Sequence, residues 1–204
     1  MASKEYNLWS DGYDIACNLL EERDEYPVAG YKEVLSQVYQ GVRAASGKKV
    51  LELGFGTGIL TRKLYQDGYE IYGVDHSESI VDAAKEDMPG GHFICDDYEM
   101  GLPEEMTFEE FDICIATYSI NKMDAYEKAD LFQDVLDHLR PGGRLIVGDV
   151  AFETLADIKK LAKEHKDKRI RFDYPLVHAE AVKDFPDLKW TRVSKCAAIL
   201  EIDK

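Results

Sequence analysis

An α/β fold on a mostly parallel sheet is predicted by two features of this 204-residue sequence. Short apolar runs alternate with amphipathic segments of helix length, which is the pattern of an open sandwich with right-handed crossovers. The runs are mostly apolar on both faces, as parallel strands covered by helices on both sides should be. The last two runs, within residues 188–202, have no helix between them, so we expect a C-terminal antiparallel hairpin. The sheet would then be seven-stranded.

The predicted elements follow one another along the chain. Five strands precede the hairpin, at residues 48–54, 69–75, 92–97, 111–117 and 143–150. Apolar residues spaced by three and four predict helices at 11–22, 31–45, 58–68, 77–88, 125–139 and near 153–165. The first two helices would lie over one end of the sheet. The segment LRPGGRL, residues 139–145, predicts a helix stop and a tight turn before the fifth strand.

Composition limits the class of protein. Hydrophobic residues make up 45% of the chain, which is a globular composition. There are 40 Asp and Glu against 25 Lys and Arg, a net charge of −15, which disfavours a nucleic-acid partner. The sequence has no apolar run of about 20 residues to span a bilayer, and its start has no secretory signal. We therefore expect a cytoplasmic protein without a membrane partner, either a monomer or a homodimer.

The four cysteines do not form a metal-binding pattern. None of them belongs to a C-x-x-C pair, so no metal site is expected. Cys95, Cys114 and Cys196 fall inside apolar, strand-like runs, whereas Cys17 lies in a predicted helix. The three strand cysteines are therefore predicted to be buried, reduced thiols.

A glycine-rich turn follows the first strand. The segment VLELGFGTG, residues 50–58, spaces Gly54, Gly56 and Gly58 as G-x-G-x-G. Ligands bind such sheets beyond the carboxyl ends of the strands, where glycine lets the backbone approach a ligand closely. The dinucleotide pattern G-x-G-x-x-G would require a glycine at Ile59. A nicotinamide cofactor is therefore disfavoured.

Carboxylates mark the ends of the next two strands. Asp75 ends the second strand, where it can accept hydrogen bonds from both hydroxyls of a ribose. Asp96 and Asp97 end the third strand, where a carboxylate can accept from an adenine amino group. A single aspartate at the end of a strand is more often a turn former. The three strand-end aspartates together with the glycine turn indicate a nucleoside site.

Five motifs extend this pattern through most of the chain. They are VLELGFGTG (50–58), YGVD (72–75), FICDDYEMGLP (93–103), FDICIATYSINKMD (111–124) and LRPGGRLIVGD (139–149). With them the chain resembles the class I S-adenosylmethionine-dependent methyltransferases, especially small bacterial members with an N-terminal helical cap. The resemblance implies a Rossmann-like sandwich and S-adenosylmethionine as cofactor. It implies a single domain over 1–204, with the cap at 1–46 and the cofactor-binding core at 47–204.

The resemblance also implies roles for individual residues. The glycine turn would face the methionine end of the cofactor, and Glu52 would anchor that region. Asp75 would hold the ribose with His76 beside the adenine, and Asp97 is favoured over Asp96 for the adenine amino group. The implied cofactor-binding residues are Glu52, Gly54, Phe55, Gly56, Thr57, Gly58, Asp75, His76, Asp97, Tyr98 and Thr117.

The acceptor side is implied in less detail. Substrate-binding residues would include Tyr13, Tyr118 and Asn121, and the aromatic residues Tyr6, Trp9 and Tyr13 could close over the cofactor. Many relatives carry a His-His pair where this chain has Asn121 and Lys122, so an imidazole base is missing there. Candidates for a general base, by position only, are Tyr118, Asp149 and His178.

The predicted activity is methyl transfer by in-line displacement to a small-molecule acceptor. The first alternative is a protein that binds S-adenosylmethionine or S-adenosylhomocysteine without transfer activity, as a sensor or scaffold. Methylation of a macromolecule is disfavoured because TYSI, residues 117–120, replaces the Asn-Pro-Pro-Tyr type of motif used on bases and amide nitrogens. A nicotinamide oxidoreductase is opposed by Ile59.

Overall fold

The computed structural model describes residues 29–164 and 174–204. No helix in these two ranges is both long and apolar enough to cross a membrane. Several features predicted from the sequence lie outside the described residues, namely the helix at 11–22 and the residues Tyr6, Trp9, Tyr13 and Cys17.

Strands and helices alternate as predicted up to residue 164, and a short helix at His178–Asp184 was not predicted. The strands are β1 (Lys49–Leu53), β2 (Glu70–Asp75), β3 (His92–Cys95), β4 (Phe111–Thr117), β5 (Leu139–Phe152), β6 (Leu176–Val177), β7 (Lys189–Arg192) and β8 (Ala197–Asp203). The helices of the described ranges are α1 (Tyr31–Ala44), α2 (Ile59–Gln66), α3 (Glu78–Asp87), α4 (Ala125–Asp137), α5 (Leu155–Glu164) and α6 (His178–Asp184). A 3₁₀ turn at Glu104–Met106 precedes β4.

The sheet has the strand order β3-β2-β1-β4-β5-β8-β7. Strands β1 to β5 pair in parallel, whereas β8 runs antiparallel to both β5 and β7. The predicted α/β class, the parallel sheet and the C-terminal hairpin are thus confirmed. The two-residue strand β6, which pairs with the end of β5, was not predicted. The chain order reverses between β1 and β4, and this is where such sheets bind ligands.

Two apolar clusters cover the two faces of the sheet. Alternate residues of β1 enter different clusters, with Leu51 and Leu53 on one face and Val50 on the other. The first cluster contains residues of α4, such as Phe132, and the second contains residues of α1, α2 and α3, such as Leu64. All five residues of β1 are buried, which agrees with a central parallel strand.

Helix α1 packs on a face of the sheet. We expected the helix at 31–45 to lie over one end, but its residues Val34 and Val38 belong to the core cluster that includes Ile146 of β5. A Cβ added to Gly148 of β5 would lie 2.5 Å from Cγ1 of Val34, so a glycine here permits the close approach. Helix α1 lies on the face of the sheet because its apolar stripe must be buried.

Strand β5 starts earlier than predicted. The ladder between β4 and β5 already pairs Phe111 with Leu139, and the next pair is Ile113 with Arg144. The four residues 140–143 therefore bulge opposite one residue of β4, with Gly142 in the left-handed region (φ 81°). The predicted turn exists, but it lies inside the strand as an irregularity of the ladder.

The cysteine prediction is wrong for one residue. Cys114 and Cys196 are buried, as expected, whereas Cys95 is exposed. Cys95 ends β3, which is the edge strand of the sheet, so no further strand covers its outer side. The apolar run alone did not distinguish an edge strand from a central one.

Candidate functional site

A cavity of about 360 Å³ lies at the carboxyl ends of the parallel strands around the point where the chain order reverses. Its volume is within the range of about 300–1,000 Å³ that is typical of small-ligand sites. The lining comes from the carboxyl ends of β1 to β4 and the segments that follow them, including the first turn of α3. It consists of Gly54, Gly56, Asp75, His76, Ile80, Asp97, Tyr98, Glu99, Tyr118, Ser119, Asn121 and Lys122.

The glycine turn presents bare backbone to this cavity. Gly54, Gly56 and Gly58 have φ values of 67°, 52° and 72°, a left-handed conformation that favours glycine. A Cβ on Gly54 would lie 2.3 Å from the Tyr98 hydroxyl oxygen, so packing also requires a glycine there. A Cβ on Gly56 would have no atom within 4 Å, which means that the backbone of Gly56 faces open space. Of the three, Gly56 is the one suited to a ligand.

Asp75 connects β2 to the glycine turn. Its Oδ2 accepts a hydrogen bond from the Gly56 N–H at 2.9 Å, and its Oδ1 accepts from the Ser77 N–H at 3.0 Å. The residue is only 3% exposed, yet it lines the cavity. The carboxylate is therefore held in one orientation with its remaining lone pairs available to a ligand.

Glu52 lies beneath the turn. It is buried, and its Oε2 accepts a hydrogen bond from the Thr61 hydroxyl at 2.7 Å. Burial raises the pKa of this carboxyl group to about 8, and the nearby negative charge of Asp75 adds to the effect. The described residues that line the cavity do not include Glu52, so its expected contact with the cofactor stays a prediction.

Four more predicted cofactor-binding residues lie in or near the glycine turn but outside the lining of the cavity. Phe55 is buried against Phe93, with ring centroids 5.2 Å apart, and Gly58 precedes the first residue of α2. Thr57 is exposed beside them, and Thr117 ends β4. None of these four predicted residues is among the described lining residues of the cavity.

The loop after β3 supplies further acidic residues to the lining of the cavity. Asp97 lines the cavity, and its Oδ1 accepts a hydrogen bond from the Glu99 N–H at 2.9 Å. Asp96 instead accepts a hydrogen bond from the Asp97 N–H at 2.8 Å and is not among the described lining residues. Of the two aspartates, Asp97 is thus the one at the cavity, and its contact with an adenine amino group stays a prediction. His76 is exposed at the same side, with its Nδ1 3.6 Å from Oδ1 of Asp75.

The turn after β4 is held by hydrogen bonds from three directions. The Tyr98 hydroxyl donates to the Ser119 carbonyl at 2.9 Å, and the Ser119 hydroxyl donates to the Leu53 carbonyl at 2.7 Å. Oδ2 of Asp149 accepts from the Ile120 N–H at 3.2 Å. These bonds fix a strained turn, since Tyr118 has a φ of 53°, unusual for a residue with a side chain.

Two of the three candidates for a general base have structural contacts instead. Asp149 is buried, and its Oδ1 accepts from the Val150 N–H at 2.6 Å while Oδ2 accepts from the β4 turn. Burial raises its pKa to about 6. His178 pairs with Glu153 at 3.4 Å and packs on Trp190 with ring centroids 5.0 Å apart. Neither is among the described lining residues, whereas Tyr118 is.

Four lining residues were not predicted as cofactor-binding or substrate-binding. Ile80 lies in the predicted helix 77–88 and Glu99 follows the third predicted strand, neither with a distinguishing pattern, and the hydrogen bonds of Ser119 join it to residues distant in sequence. Lys122 had a signal, because the family that the sequence resembles implies a histidine at this position. In the part of the chain that the structure describes, no group of three or more His, Cys, Asp or Glu residues could hold a metal ion.

Known proteins resemble this chain in sequence. A family model described as "Methyltransferase domain" matches residues 50–143. An uncharacterized methyltransferase of Anoxybacillus flavithermus is 30% identical over 163 residues, which are 80% of this chain and 74% of the relative. An uncharacterized methyltransferase of Geobacillus kaustophilus is 29% identical over 159 residues, 78% of this chain and 71% of the relative.

Solved structures share the fold. Magnesium protoporphyrin IX methyltransferase (ChlM) from Synechocystis PCC 6803, with bound SAH (S-adenosylhomocysteine), has a TM-score of 0.69 at 21% identity over 99% of this chain and 95% of that one. The N-methyltransferase NodS from Bradyrhizobium japonicum has a TM-score of 0.61 at 13% identity, covering 89% and 98%. The sequence relatives show the methyltransferase family and the solved structures show the fold, so the chain, with its glycine turn, belongs to the class I S-adenosylmethionine-dependent methyltransferases.

Proposed function

We propose that the protein transfers the methyl group of S-adenosylmethionine to a small-molecule acceptor by in-line displacement. The observation that carries this proposal is a single cavity of about 360 Å³ that joins the glycine turn to the turn after β4. Gly56 and Asp75 would hold the cofactor at one side, and Tyr118 and Asn121 would meet the acceptor at the other.

The residues present fit the cofactor. The open space above Gly56 leaves room for a ligand against the backbone, and Asp75 can accept hydrogen bonds from ribose hydroxyls. Asp97 can accept from the adenine amino group, and the carboxylates of Asp75, Asp97 and Glu99 favour a cationic ligand. When bound, S-adenosylmethionine supplies a methyl carbon that the acceptor attacks while the carbon–sulfur bond breaks and its electron pair stays on sulfur.

The contribution of the protein to this reaction is positioning. Hydrogen bonds from Tyr98 and to Asp149 fix the turn that carries Tyr118, so the acceptor side does not have to order itself on binding. Alignment of reacting groups can contribute about 7–11 kcal/mol to lowering a barrier. A small acceptor is supported by the volume of the cavity, and the net charge of −15 disfavours nucleic acid.

We further infer that residues 1–204 form one domain, with an N-terminal cap over 1–46 and the cofactor-binding core over 47–204. The described part of the cap supports this, since α1 shares a core cluster with β1 and β5. The expected lid and substrate contact of Tyr13 lie outside the described residues and remain part of the proposal.

The test combines binding with turnover. Calorimetric titration with S-adenosylmethionine and S-adenosylhomocysteine, with NAD as a control, should show binding of the first two only. Release of S-adenosylhomocysteine is then measured by mass spectrometry with small phenols, thiols, amines and carboxylic acids, and separately with RNA, DNA and protein. Methylation of small nucleophiles is the expected result. Product from a macromolecule alone would contradict the small-molecule acceptor.

A further inference from the structure

The cavity contains one strong cation. Lys122 is the only lysine or arginine among the described residues that line it. Its side chain is exposed, and no carboxylate of the described ranges lies within ion-pair distance of its ammonium group. Lys49, Lys63 and Lys189, by contrast, each pair with a carboxylate. Lys122 therefore has its charge available to a ligand.

The backbone that carries Lys122 is fixed on both sides. The Asn121 carbonyl accepts a hydrogen bond from the Tyr174 N–H at 2.7 Å. Met123 is fully buried, its N–H donates to the Ile120 carbonyl at 3.2 Å, and its own carbonyl accepts from Nζ of the buried Lys128. An ammonium group on such a turn loses little backbone freedom when it binds an anion, which favours recognition.

The charges of the cavity are separated by strand order. Asp75, Asp97 and Glu99 come from the turns after β2 and β3, on one side of β1. Lys122 comes from the turn after β4, on the other side of β1. The negative side suits the cationic cofactor, whereas an uncompensated ammonium group on the acceptor side suits an anion.

We propose that Lys122 recognises an anionic oxygen group of the methyl acceptor, a carboxylate or a phosphate, so that the acceptor is a small acid. The neighbouring Asn121, which also lines the cavity, can donate a second hydrogen bond through its side-chain amide. This inference rests on the proposed function, since it assumes that the cofactor occupies the side of Gly56 and Asp75.

The experiment measures acid binding to the complex with S-adenosylhomocysteine. The probes are benzoate and phenyl phosphate, with benzamide as the uncharged match, titrated under ligand-observed NMR. The variants are Lys122→Met and Lys122→Arg. The control is Lys85→Met, which removes the same charge from an exposed position on α3 outside the lining of the cavity.

We expect both acids to bind the wild-type complex, and we expect each acid to bind the Lys85→Met complex as tightly as it binds wild type. Lys122→Met should weaken both acids about tenfold or more, which corresponds to the loss of one charge-assisted hydrogen bond. Lys122→Arg should retain most of the affinity, and benzamide should not respond to any variant. Failure of the wild-type complex to bind either acid, or equal binding by Lys122→Met, would overturn the inference.

A further arm separates the acceptor from the cofactor, whose methionine end also has a carboxylate. The affinities of S-adenosylhomocysteine and of 5′-methylthioadenosine, which has no carboxylate, are measured for wild type and Lys122→Met. If Lys122→Met changes the affinities for the two ligands by the same factor, Lys122 does not contact the cofactor carboxylate, which supports the acceptor role. A selective loss of S-adenosylhomocysteine affinity would assign Lys122 to the cofactor and overturn the inference. Absence of wild-type binding to S-adenosylhomocysteine would instead reject the proposed function itself.

Discussion

The Asp75 carboxylate accepts a hydrogen bond from the backbone N–H of Gly56 at 2.9 Å, so the end of β2 is joined to the glycine turn after β1. The two residues are 19 positions apart in the chain and line the same cavity. One carboxylate thus orders the turn and faces the ligand side. Substitutions at Asp75 and at Gly56 should therefore affect the same binding event for different reasons.

Replacing Asp75 with alanine should weaken S-adenosylhomocysteine binding by about tenfold to a hundredfold, since hydrogen bonds to a charged group contribute about 1.5–3 kcal/mol. The measurement is calorimetric titration, with circular dichroism to show that the variant is folded. Glu78→Ala is the matched control, because Glu78 is an exposed acid in the first turn of α3. If Asp75→Ala binds as tightly as Glu78→Ala, Asp75 does not hold the ribose.

Replacing Gly56 with alanine should cost stability and block binding. A side chain in the left-handed region costs about 1–2 kcal/mol, and here the added methyl group would project into open space. Gly68→Ala is the control, since Gly68 has a φ of 81° and its Cβ would also meet no atom within 4 Å. The melting temperatures of both variants should decrease by a similar amount. Only Gly56→Ala should also lose affinity for S-adenosylhomocysteine. Equal affinities would remove Gly56 from the cofactor site.

Removing the Tyr98 hydroxyl should loosen the acceptor side. Tyr98→Phe deletes the part-buried hydrogen bond to the Ser119 carbonyl and should cost about 0.5–1.5 kcal/mol of unfolding free energy, the usual net contribution of one hydrogen bond. Cofactor affinity should fall severalfold, as the turn contacts Gly54. Tyr65→Phe, whose hydroxyl accepts a hydrogen bond from the Gly90 N–H, is the control for stability without binding. Urea unfolding and titration of both variants measure the two effects.

The buried carboxyl group of Glu52 should make stability depend on pH. Its pKa is raised from 4.5 to about 8 in the folded state, so between these values the folded protein binds a proton that the unfolded chain releases. Wild-type stability should therefore decline as pH rises from 4.5 towards 8, by up to about 1.4 kcal/mol per pH unit from this group.

The Glu52→Gln variant isolates this contribution, because glutamine resembles the protonated acid. The free energy of unfolding of wild type minus that of Glu52→Gln should fall between pH 5 and pH 8 in urea titrations. Asp149, whose pKa is also raised, is present in both proteins and cancels in the difference. A difference that does not change with pH would show that Glu52 is ionised in the folded protein.

Local sequence patterns were sufficient for most of the fold. The predicted strand 111–117 coincides with β4, Phe111–Thr117, and the predicted helix 125–139 contains α4, Ala125–Asp137. Apolar periodicity determines these elements because each one must bury a face. Gly56 and Asp75 were also predicted from the sequence, because a glycine in a turn and a carboxylate at the end of a strand are identified from the residues next to them.

Local patterns in the chain thus predict the class of fold, the order of the strands along the chain and the glycine turn at the end of β1. Three further properties follow from contacts between distant parts of the chain: Asp149 supports the turn after β4, Cys95 is exposed at an edge, and Lys122 faces the cavity. These properties depend on which strands become neighbours. The hydrogen bond between Ser119 and Leu53, 66 residues apart, exists because β4 lies beside β1, and no local pattern encodes that neighbourhood.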